Sequence, residues 1–555
     1  MHGEIGHRWK KIESMTIKKR LGHFFAVWFI MCGLVLIFVI ATTQSAYASP
    51  RRYALATVVS PDGAGRVEPS AGTYSRNSYI RITAFPNTCY QFDHWEGNLS
   101  GTTNPTYYRF NSTKSQVKVT AVFKQTCEPT PADLSSGNFR IVGYFPEWGV
   151  YHQQPYLVKN IVTSGSAAKL TVLNYAFGNP KPDPTGVVTC QLNDPESAYQ
   201  QTYSANDSVD GVSDDPYQSL RGHFKQLKKL KAMYPNLKIV VSIGGWSGST
   251  YFSDAALTDV SRSAFVKSCI DLYIKGDLPL QNNAGGTGVA AGIFDGIDLD
   301  WEYPVSGGAV GAHHNIDDST NFTLLLAEFR KQYESIARAD LLLTMAAPGS
   351  EYHSQNFHVS NDYPYLDYIQ LMTYDFYGGW NGTTGHLTNL CTSPADPTSA
   401  EWQLSMDKAV RLYRDRYDVP AGKILPGAAF YGRGWTGVGS TNSGLYQSDS
   451  GAAPGTYEPG YELYRDLVPK LSSGYTKYWD NLAKAAWIYS SADKIFWTCD
   501  EPNSLALKAQ YVKYHDLGGI MFWEISGDND QGLMLSTLYE GLQPEAPVAD
   551  PCAGN

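Results

Sequence analysis

The pattern of apolar and polar positions divides the chain into two parts. Residues 50–126 hold short runs in which apolar and polar residues alternate, as in Tyr79–Phe85 and Gln116–Phe123, and a period of two predicts half-buried β-strands. From about residue 139, unbroken apolar runs alternate with segments whose apolar residues recur every three or four positions, which predicts buried strands and amphipathic helices. A polar, proline-containing segment, 128–138, separates the two parts. We therefore expect a small all-β domain over 49–127, a linker and a larger α/β domain.

Eight apolar runs after the linker predict the strands of a single barrel. They are Arg140–Phe145, Leu170–Phe177, Lys238–Ile243, Gly292–Trp301, Leu341–Ala346, Tyr368–Tyr374, Ile424–Phe430 and Gly519–Trp523. Helices are predicted between them: one begins at Pro216 and buries a stripe from Leu220 to Leu230, one runs from Asp318 to Ile336, and one covers about 504–517. Eight such alternations with continuously apolar strands predict a (β/α)8 TIM barrel over 139–540.

Two connections are too long for a plain barrel. Residues 178–217 follow the second strand and are polar and acidic, and loops of that length are usually functional or disordered. Residues 435–503 lie between the seventh strand and its helix and hold strand-like and helical pieces of their own, so we expect an α+β insertion at about 436–503. Residues 541–555 form a short Pro/Ala tail.

The N-terminal segment has the three parts of a secretory leader. The apolar run Phe24–Ala41 follows the basic Lys18–Arg20 and ends before Ala46–Ala48, which predicts a signal peptide over 1–48 that is cleaved after Ala48 and a secreted, extracellular protein without membrane attachment. An uncleaved anchor is the alternative, because the run is long enough to span a bilayer.

Secretion permits disulfides. Of the eight cysteines, Cys32 leaves with the leader, and none of the other seven lies in a C-x-x-C pair, so a structural zinc site is not expected. A Cys89–Cys127 pair would close the β domain, and Cys269 lies on an apolar helical face, which predicts a buried thiol.

Lys+Arg 44 against Asp+Glu 53 gives a net charge of −9, which argues against nucleic acid as a partner.

The segment Phe294–Glu302 carries the most informative chemistry. Side chains alternate along a strand, so Asp298, Asp300 and Glu302 share one face and point into the barrel near the end where barrel enzymes keep their active sites. Carboxyl groups so close repel, so at least one holds a proton at neutral pH, and a proton on Glu302 would make it a general acid. Asp295 falls on the opposite face, where a supporting role is expected. A divalent metal site is the competing interpretation, but no EF-hand spacing or strand histidine accompanies the row.

The spacing Asp295-x-x-Asp298-x-Asp300-x-Glu302 resembles the D-x-x-D-x-D-x-E signature of family 18 glycoside hydrolases, the bacterial secreted chitinases with an insertion domain among them. Further segments resemble family motifs in the same order along the chain: they are Ser242–Gly245, Met372–Asp375, Tyr431–Trp435 at the end of strand seven, and Trp523 at the end of strand eight. The resemblance implies a monomeric chitinase without cofactor that acts on chitin and chito-oligosaccharides.

The resemblance also implies roles for these residues. Glu302 protonates the glycosidic oxygen, and the substrate's own 2-acetamido carbonyl attacks the anomeric carbon, so that two inversions give retention. Asp300, sharing a proton with Asp298, hydrogen-bonds the acetamido N–H, Tyr374 donates to the acetamido oxygen, and Asp375 holds the distorted sugar. Ser242, Gly244 and Gly245 support the acid row. Substrate-binding positions are expected at Trp523, Met372, Tyr144, Trp148, Phe177, Trp246, Trp380, Tyr431 and Arg433.

Two other functions share this pattern. An endo-β-N-acetylglucosaminidase that acts on N-glycans would carry the same acid row, but the long loop and the insertion favour a deep cleft for a polymer. A non-catalytic chitin-binding lectin is the other alternative, and the presence of Glu302 argues against it.

In the β domain, Phe92–Gly101 resembles small β repeats of bacterial secreted proteins, and Trp95 is expected in its core.

Overall fold

The computed structural model describes residues 52–61, 64–86, 90–111, 115–125, 139–543 and 549–553. The predicted leader, the linker 128–138, Cys89 and Cys127 lie outside the described residues. Within those ranges, no helix combines the length and the apolar character that crossing a membrane requires.

The N-terminal region is all-β, as the alternating pattern predicts. A four-stranded and a three-stranded sheet enclose a core of their own that includes Tyr53, Trp95 and Phe110. Trp95 is 1% exposed and its indole nitrogen donates to the carbonyl oxygen of Thr103 at 3.0 Å, so the predicted core position of this ring is confirmed. The strands are Arg52–Ser60, Gly65–Glu68, Ala71–Ser75, Tyr79–Pro86, Tyr90–Gly97, Thr106–Arg109 and Gln116–Gln125.

Eight parallel strands close into the predicted barrel. Strand one pairs with strand two on one side and with strand eight on the other, so the barrel sheet has no open edge. Barrel strands one to eight are, in chain order, Arg140–Pro146, Val172–Pro182, Lys238–Gly244, Gly296–Asp300, Leu342–Pro348, Tyr368–Met372, Ile424–Ala429 and Gly519–Trp523.

Helices cover the outside of the barrel. The large core cluster between strands and helices contains the outward-facing residues of the strands, such as Leu173 and Leu299. The α-helices are Val158–Thr163, Gly222–Met233, Phe252–Ala256, Asp259–Cys269, Asp318–Ser335, Glu351–Ser354, Val359–Asp362, Met406–Arg411, Tyr464–Leu467, Pro502–Tyr514 and Leu533–Gly541.

The prediction of a helix beginning at Pro216 is wrong, because the helix begins at Gly222. Arg221 is extended and Gly222 has φ +62°, so helical dihedrals cannot run from 216 through these residues. The Arg221 side chain instead donates to the carbonyl oxygens of Pro216 and Gln218. The predicted loop 178–217 also contains structure, since strand two extends to Pro182 and pairs antiparallel with Val188–Leu192.

The connection between strands seven and eight carries a second, five-stranded antiparallel sheet. Residues Tyr431–Trp435, predicted at the end of barrel strand seven, form an inner strand of this sheet between Tyr461–Leu463 and Ile495–Cys499. The inserted sheet therefore begins at Tyr431, five residues before the expected boundary. Its remaining strands are Thr476–Asp480 and Ala485–Ser490.

A disulfide joins Cys391, in the loop after strand six, to Cys552 in the C-terminal segment. Cys190, Cys269 and Cys499 are free and buried, and the buried thiol predicted at Cys269 is confirmed.

A buried ion pair attaches the inserted sheet to the barrel: Lys508 Nζ lies 2.6 Å from Asp500 Oδ2, and Asp500 Oδ2 also accepts from the Ala429 amide.

Candidate active site

Asp298 lies in the barrel interior and is surrounded by donors. Strands one, three, five and six each point one polar side chain inward at this level, and all four donate to its two carboxylate oxygens. The donors are Tyr144 Oη at 2.9 Å, Ser242 Oγ at 2.7 Å, Thr344 Oγ1 at 2.6 Å and Gln370 Nε2 at 2.8 Å. Burial raises the pKa of Asp298, and these hydrogen bonds oppose the rise. Donors therefore surround both carboxylate oxygens of Asp298.

Asp300 and Glu302 follow on the same face and are also buried. Burial first, then the neighbouring charges of Glu302 and Asp298, raise the pKa of Asp300 well above its usual range. Asp300 Oδ1 is buried and lacks a hydrogen-bond partner within the described ranges. Burial raises the pKa of Glu302 to about 7, against a hydrogen bond from Tyr303. Asp300 and Glu302 therefore hold at least one proton between them at neutral pH.

The backbone of strand three packs closely against the acid row. Gly244 has φ +112°, and a Cβ built there would lie 2.3 Å from the carbonyl oxygen of Asp300, so only glycine fits at this position. Ser249 Oγ donates to that same carbonyl oxygen at 3.0 Å and accepts from the Glu302 amide at 3.0 Å. A Cβ at Gly245 would meet the ring of Phe177 at 2.7 Å. The row is thus fixed through its backbone as well as through its side chains.

Four aromatic rings meet at one side of the barrel mouth. Trp523 stacks on Phe177 at 5.7 Å between ring centroids and with an interplanar angle of 15°, and Trp148 and Tyr144 contact Trp523 at 6.0 and 5.5 Å. Phe177 stacks on Trp148 at 6.0 Å. The partly buried rings of Trp148, Phe177 and Trp523, called the aromatic floor below, offer flat apolar faces of the kind on which sugar rings stack.

A β-bulge turns Phe177 into this site. Strand three pairs Ser242 with Ala176 but Ile243 with Gly178, so Phe177 is the extra residue. Its neighbour Tyr175 belongs to the outer core, whereas Phe177 packs with the interior cluster. Bulges of this kind re-aim side chains next to active sites.

Asp375 follows barrel strand six and is held by two partners. Arg433 Nε and Nη2 each donate to its carboxylate at 2.8 Å, and Tyr431 Oη donates at 2.8 Å. The guanidinium of Arg433 lies over the rings of Trp380, Tyr431 and Tyr461 at 5.2, 5.5 and 5.3 Å. Tyr374, next to Asp375, is half-buried, and its hydroxyl has a long contact of 3.8 Å to Met521 Sδ.

The remaining sequence-predicted residues lie in three different places. Met372 packs in the interior cluster with Tyr374 and Trp523, whereas Trp246 and Trp380 project to the surface, 58% and 61% exposed. Asp295 is on the outer face, where Oδ2 accepts from Lys231 Nζ at 2.7 Å and from the Ile239 amide at 2.9 Å. Within the described chain, no set of three or more His, Cys, Asp or Glu side chains has the arrangement of a metal site.

Sequence reasoning missed five residues that complete this arrangement. Thr344 and Gln370 carry a recognisable signal, because each is a polar residue at an inward position of an otherwise apolar strand. Ser249, Tyr303 and Tyr461 lie in loops or in the inserted sheet, and no periodicity marks them.

Comparisons with known proteins find similar sequences for both parts of the chain. Residues 140–528 match Glycosyl hydrolases family 18, and residues 55–127 match the Divergent InlB B-repeat domain. Chitinase A1 of Niallia circulans is 34% identical over 453 residues, which cover 76% of this chain and 60% of the relative. Chitinase C of Streptomyces lividans is 37% identical over 399 residues, which cover 70% of this chain and 58% of the relative. The chain therefore spans less than two thirds of the length of either curated relative.

A solved structure extends the similarity to three dimensions. The catalytic domain of psychrophilic chitinase B from Arthrobacter TAD20 aligns with a TM-score of 0.69 at 37% identity. The alignment covers 74% of this chain and 97% of that domain.

Proposed function

The chain belongs to family 18 of the glycosyl hydrolases, and on that basis we propose that it is a chitinase that hydrolyses the β-1,4 bonds between N-acetylglucosamine units with retention. Its substrates are chitin and chito-oligosaccharides. Glu302 carries the proposal, because it is a buried carboxyl with a pKa of about 7 at the end of the acid row. A carboxyl that still holds its proton near neutral pH is suited to act first as general acid and then as general base.

The contacts of the other carboxylates support a nucleophile supplied by the substrate. Asp298 is saturated by four donors, and Asp375 is held by Arg433 and Tyr431. Neither carboxylate is free to attack an anomeric carbon. The 2-acetamido carbonyl of the sugar therefore makes the attack while Glu302 protonates the leaving oxygen, which is the known exception to the two-carboxylate mechanism.

Asp300 and Tyr374 then act on the acetamido group. Protonated Asp300 has a buried oxygen without a partner among the described residues, and this carboxyl accepts the acetamido N–H as positive charge develops. The Tyr374 hydroxyl makes a long contact to the Met521 sulfur among the described residues, and it turns to the acetamido oxygen. Both hydrogen bonds form where charge appears in the transition state, which is where they lower the barrier most.

The aromatic rings bind the sugar during these steps. The aromatic floor receives the apolar face of the reacting N-acetylglucosamine unit, and Asp375, oriented by Arg433, holds a hydroxyl of the distorted ring. The exposed Trp246 and Trp380 extend the binding surface to neighbouring units.

The organisation of the chain is part of the proposal. A leader over 1–48, cleaved after Ala48, sends the protein outside the cell, a β domain over 49–127 and a linker over 128–138 precede the catalytic barrel 139–540 with its insertion, and the protein acts as a monomer. The separate core of the β strands supports an independent N-terminal unit.

Product analysis tests the function directly. The protein incubated with colloidal chitin should release soluble chito-oligosaccharides, and proton NMR of the first products from chitohexaose should show the β-anomer. Cleavage of N-glycans without release from chitin would identify the endo-β-N-acetylglucosaminidase instead. Binding to chitin without any product would identify the lectin.

A further inference from the structure

A buried polar cluster lies directly behind the aromatic floor. Glu147 is 1% exposed and immediately precedes Trp148. Its Oε2 lies 3.1 Å from Tyr175 Oη, and its Oε1 accepts from Asn193 Nδ2 at 2.5 Å. Tyr175 Oη also lies 3.2 Å from His223 Nδ1. None of these groups belongs to the acid row.

The cluster is tied to two rings of the floor through the backbone. Glu147 is adjacent in the chain to Trp148, and Tyr175 and Asn179 lie two residues on either side of Phe177. Asn179 Nδ2 donates to Asn193 Oδ1 at 2.7 Å, and Asn193 donates onward to Glu147. The carboxyl of Glu147 is therefore the point at which the supports of Trp148 and Phe177 meet.

Little positive charge lies near the carboxyl of Glu147. Burial raises the pKa of Glu147 to about 8, against the hydrogen bonds from Asn193 and Tyr175, with Asp194 adding to the rise and Lys181 opposing it. His223 is buried and its pKa is lowered to about 3, so it supplies no positive charge. The Tyr203 and Tyr273 phenols also face the cluster, and they are neutral at these pH values.

We propose that Glu147 is a positioning residue whose neutral carboxyl holds Trp148 and Phe177 in the geometry that binds the sugar. In the neutral state Glu147 can donate to Tyr175, and Tyr175 can donate to His223 Nδ1, which makes a continuous chain of hydrogen bonds. Ionisation leaves a charge without a strong counter-charge in this buried site and turns the Tyr175 hydroxyl from His223 to Glu147, which breaks the chain of hydrogen bonds and shifts the supports of both rings. Residues that hold binding groups from behind set the precision of a site. The inference rests on the proposed function, because it assumes that the floor binds N-acetylglucosamine.

Binding measurements in an inactive background test the proposal. Glu302→Gln together with Asp300→Asn removes turnover and the titration of both outer carboxyls, so the Kd for chitohexaose can be measured by calorimetry from pH 5.5 to pH 9.5. In this background we expect Kd to rise about fivefold to tenfold above pH 8, since a tenfold change corresponds to one unit of differential pKa. The added change Glu147→Gln, which keeps the shape and cannot ionise, should give the same Kd at pH 6 within twofold and abolish the alkaline rise.

A matched control uses a buried carboxyl far from the floor. Burial also raises the pKa of Asp362 to about 7, and its partner Thr323 lies on an outer helix. Asp362→Asn in the same background should leave the alkaline rise intact. An alkaline rise that persists unchanged with Glu147→Gln would overturn the inference.

A ligand-free readout separates this inference from the proposed function. If chitohexaose does not bind to any variant, the assignment of the substrate fails, and the near-ultraviolet circular dichroism of the free protein decides the positioning role. An aromatic transition near pH 8 that is present in the original protein and absent in Glu147→Gln supports it. The same transition in both proteins contradicts it.

Discussion

The guanidinium of Arg433 donates two parallel hydrogen bonds of 2.8 Å to the carboxylate of Asp375. Arg433 comes from the inserted sheet and Asp375 from the end of barrel strand six. A residue of the insertion therefore orients a carboxylate at the mouth of the barrel, so the candidate site contains residues from both.

Arg433→Lys should lower kcat/KM on chitotetraose by about 10²-fold, because lysine lacks the planar fork and a misplacement of about 1 Å can cost that much. Steady-state kinetics on a soluble oligosaccharide measures the loss. Arg338→Lys is the matched control, since Arg338 makes a similar two-bond contact to Asp340 at the surface. Equal effects of the two changes would contradict a role at the site.

Glu302→Gln should abolish turnover while folding and oligosaccharide binding are preserved. The substitution is nearly isosteric and removes the proton donor. In the unaltered enzyme, Glu302 must be protonated in the first step, so kcat/KM should be retained below pH 7 and fall as the pH rises through about 7. Activity of the variant within tenfold of the original enzyme would remove Glu302 from the acid role.

Asp300→Asn and Tyr374→Phe should each lower kcat by about 10²–10³-fold, the usual cost of losing one hydrogen bond to developing charge. Their effect on ground-state binding should be much smaller, because both groups are assigned to the intermediate. Separate measurement of kcat and of Kd distinguishes the two. A rise in KM alone would make them ordinary binding residues.

Lys508→Met should destabilise the protein by about 3–5 kcal/mol, because it leaves the buried Asp500 carboxylate without its cation. Denaturant unfolding followed by tryptophan fluorescence measures the change. Lys477→Met, which removes a half-exposed pair with Glu501, should cost about 1 kcal/mol or less. The double change Lys508→Met and Asp500→Asn should recover part of the loss, and no recovery would argue against charge as the cause.

A protein that begins near Ser136 should keep its rate on soluble chito-oligosaccharides, because all residues of the site lie downstream. Its rate on crystalline chitin should fall if the β domain adsorbs to the polymer, for which Tyr79 and Tyr107 offer exposed rings. Loss of the soluble rate would show that the β domain belongs to the catalytic unit. Unchanged rates on both substrates would exclude an adsorbing role.

The acid row and the barrel were predictable because both depend on local periodicity. Alternation alone places Asp298, Asp300 and Glu302 on one face, and eight apolar runs at barrel spacing predict the closed sheet. The same reasoning could not assign Tyr431–Trp435 to the second sheet, because alternation does not tell a strand which neighbour it will pair with. It also failed at Pro216, where Asp-Asp-Pro is typical of a helix start but the extended Arg221 prevents one.

Other features depend on contacts across long stretches of chain. The donors to Asp298 come from four strands, and Cys391 pairs with Cys552 across 161 residues. The sequence separations between these residues do not predict that they meet. Glu147 belongs to no motif either, since its burial against Tyr175 of strand two and Asn193 gives it its chemistry.

The bulge at Phe177 makes the cleft dependent on the number of residues in the chain as well as on their identity. Phe177 is the single residue between Ala176 and Gly178, so its deletion would restore uninterrupted pairing with Ser242 and Ile243 and remove the ring from the candidate sugar site. During divergence, this subsite could therefore be gained or lost in one insertion or deletion event. Relatives whose second barrel strand differs in length at this point should differ in which sugars they bind, even where every catalytic residue is shared.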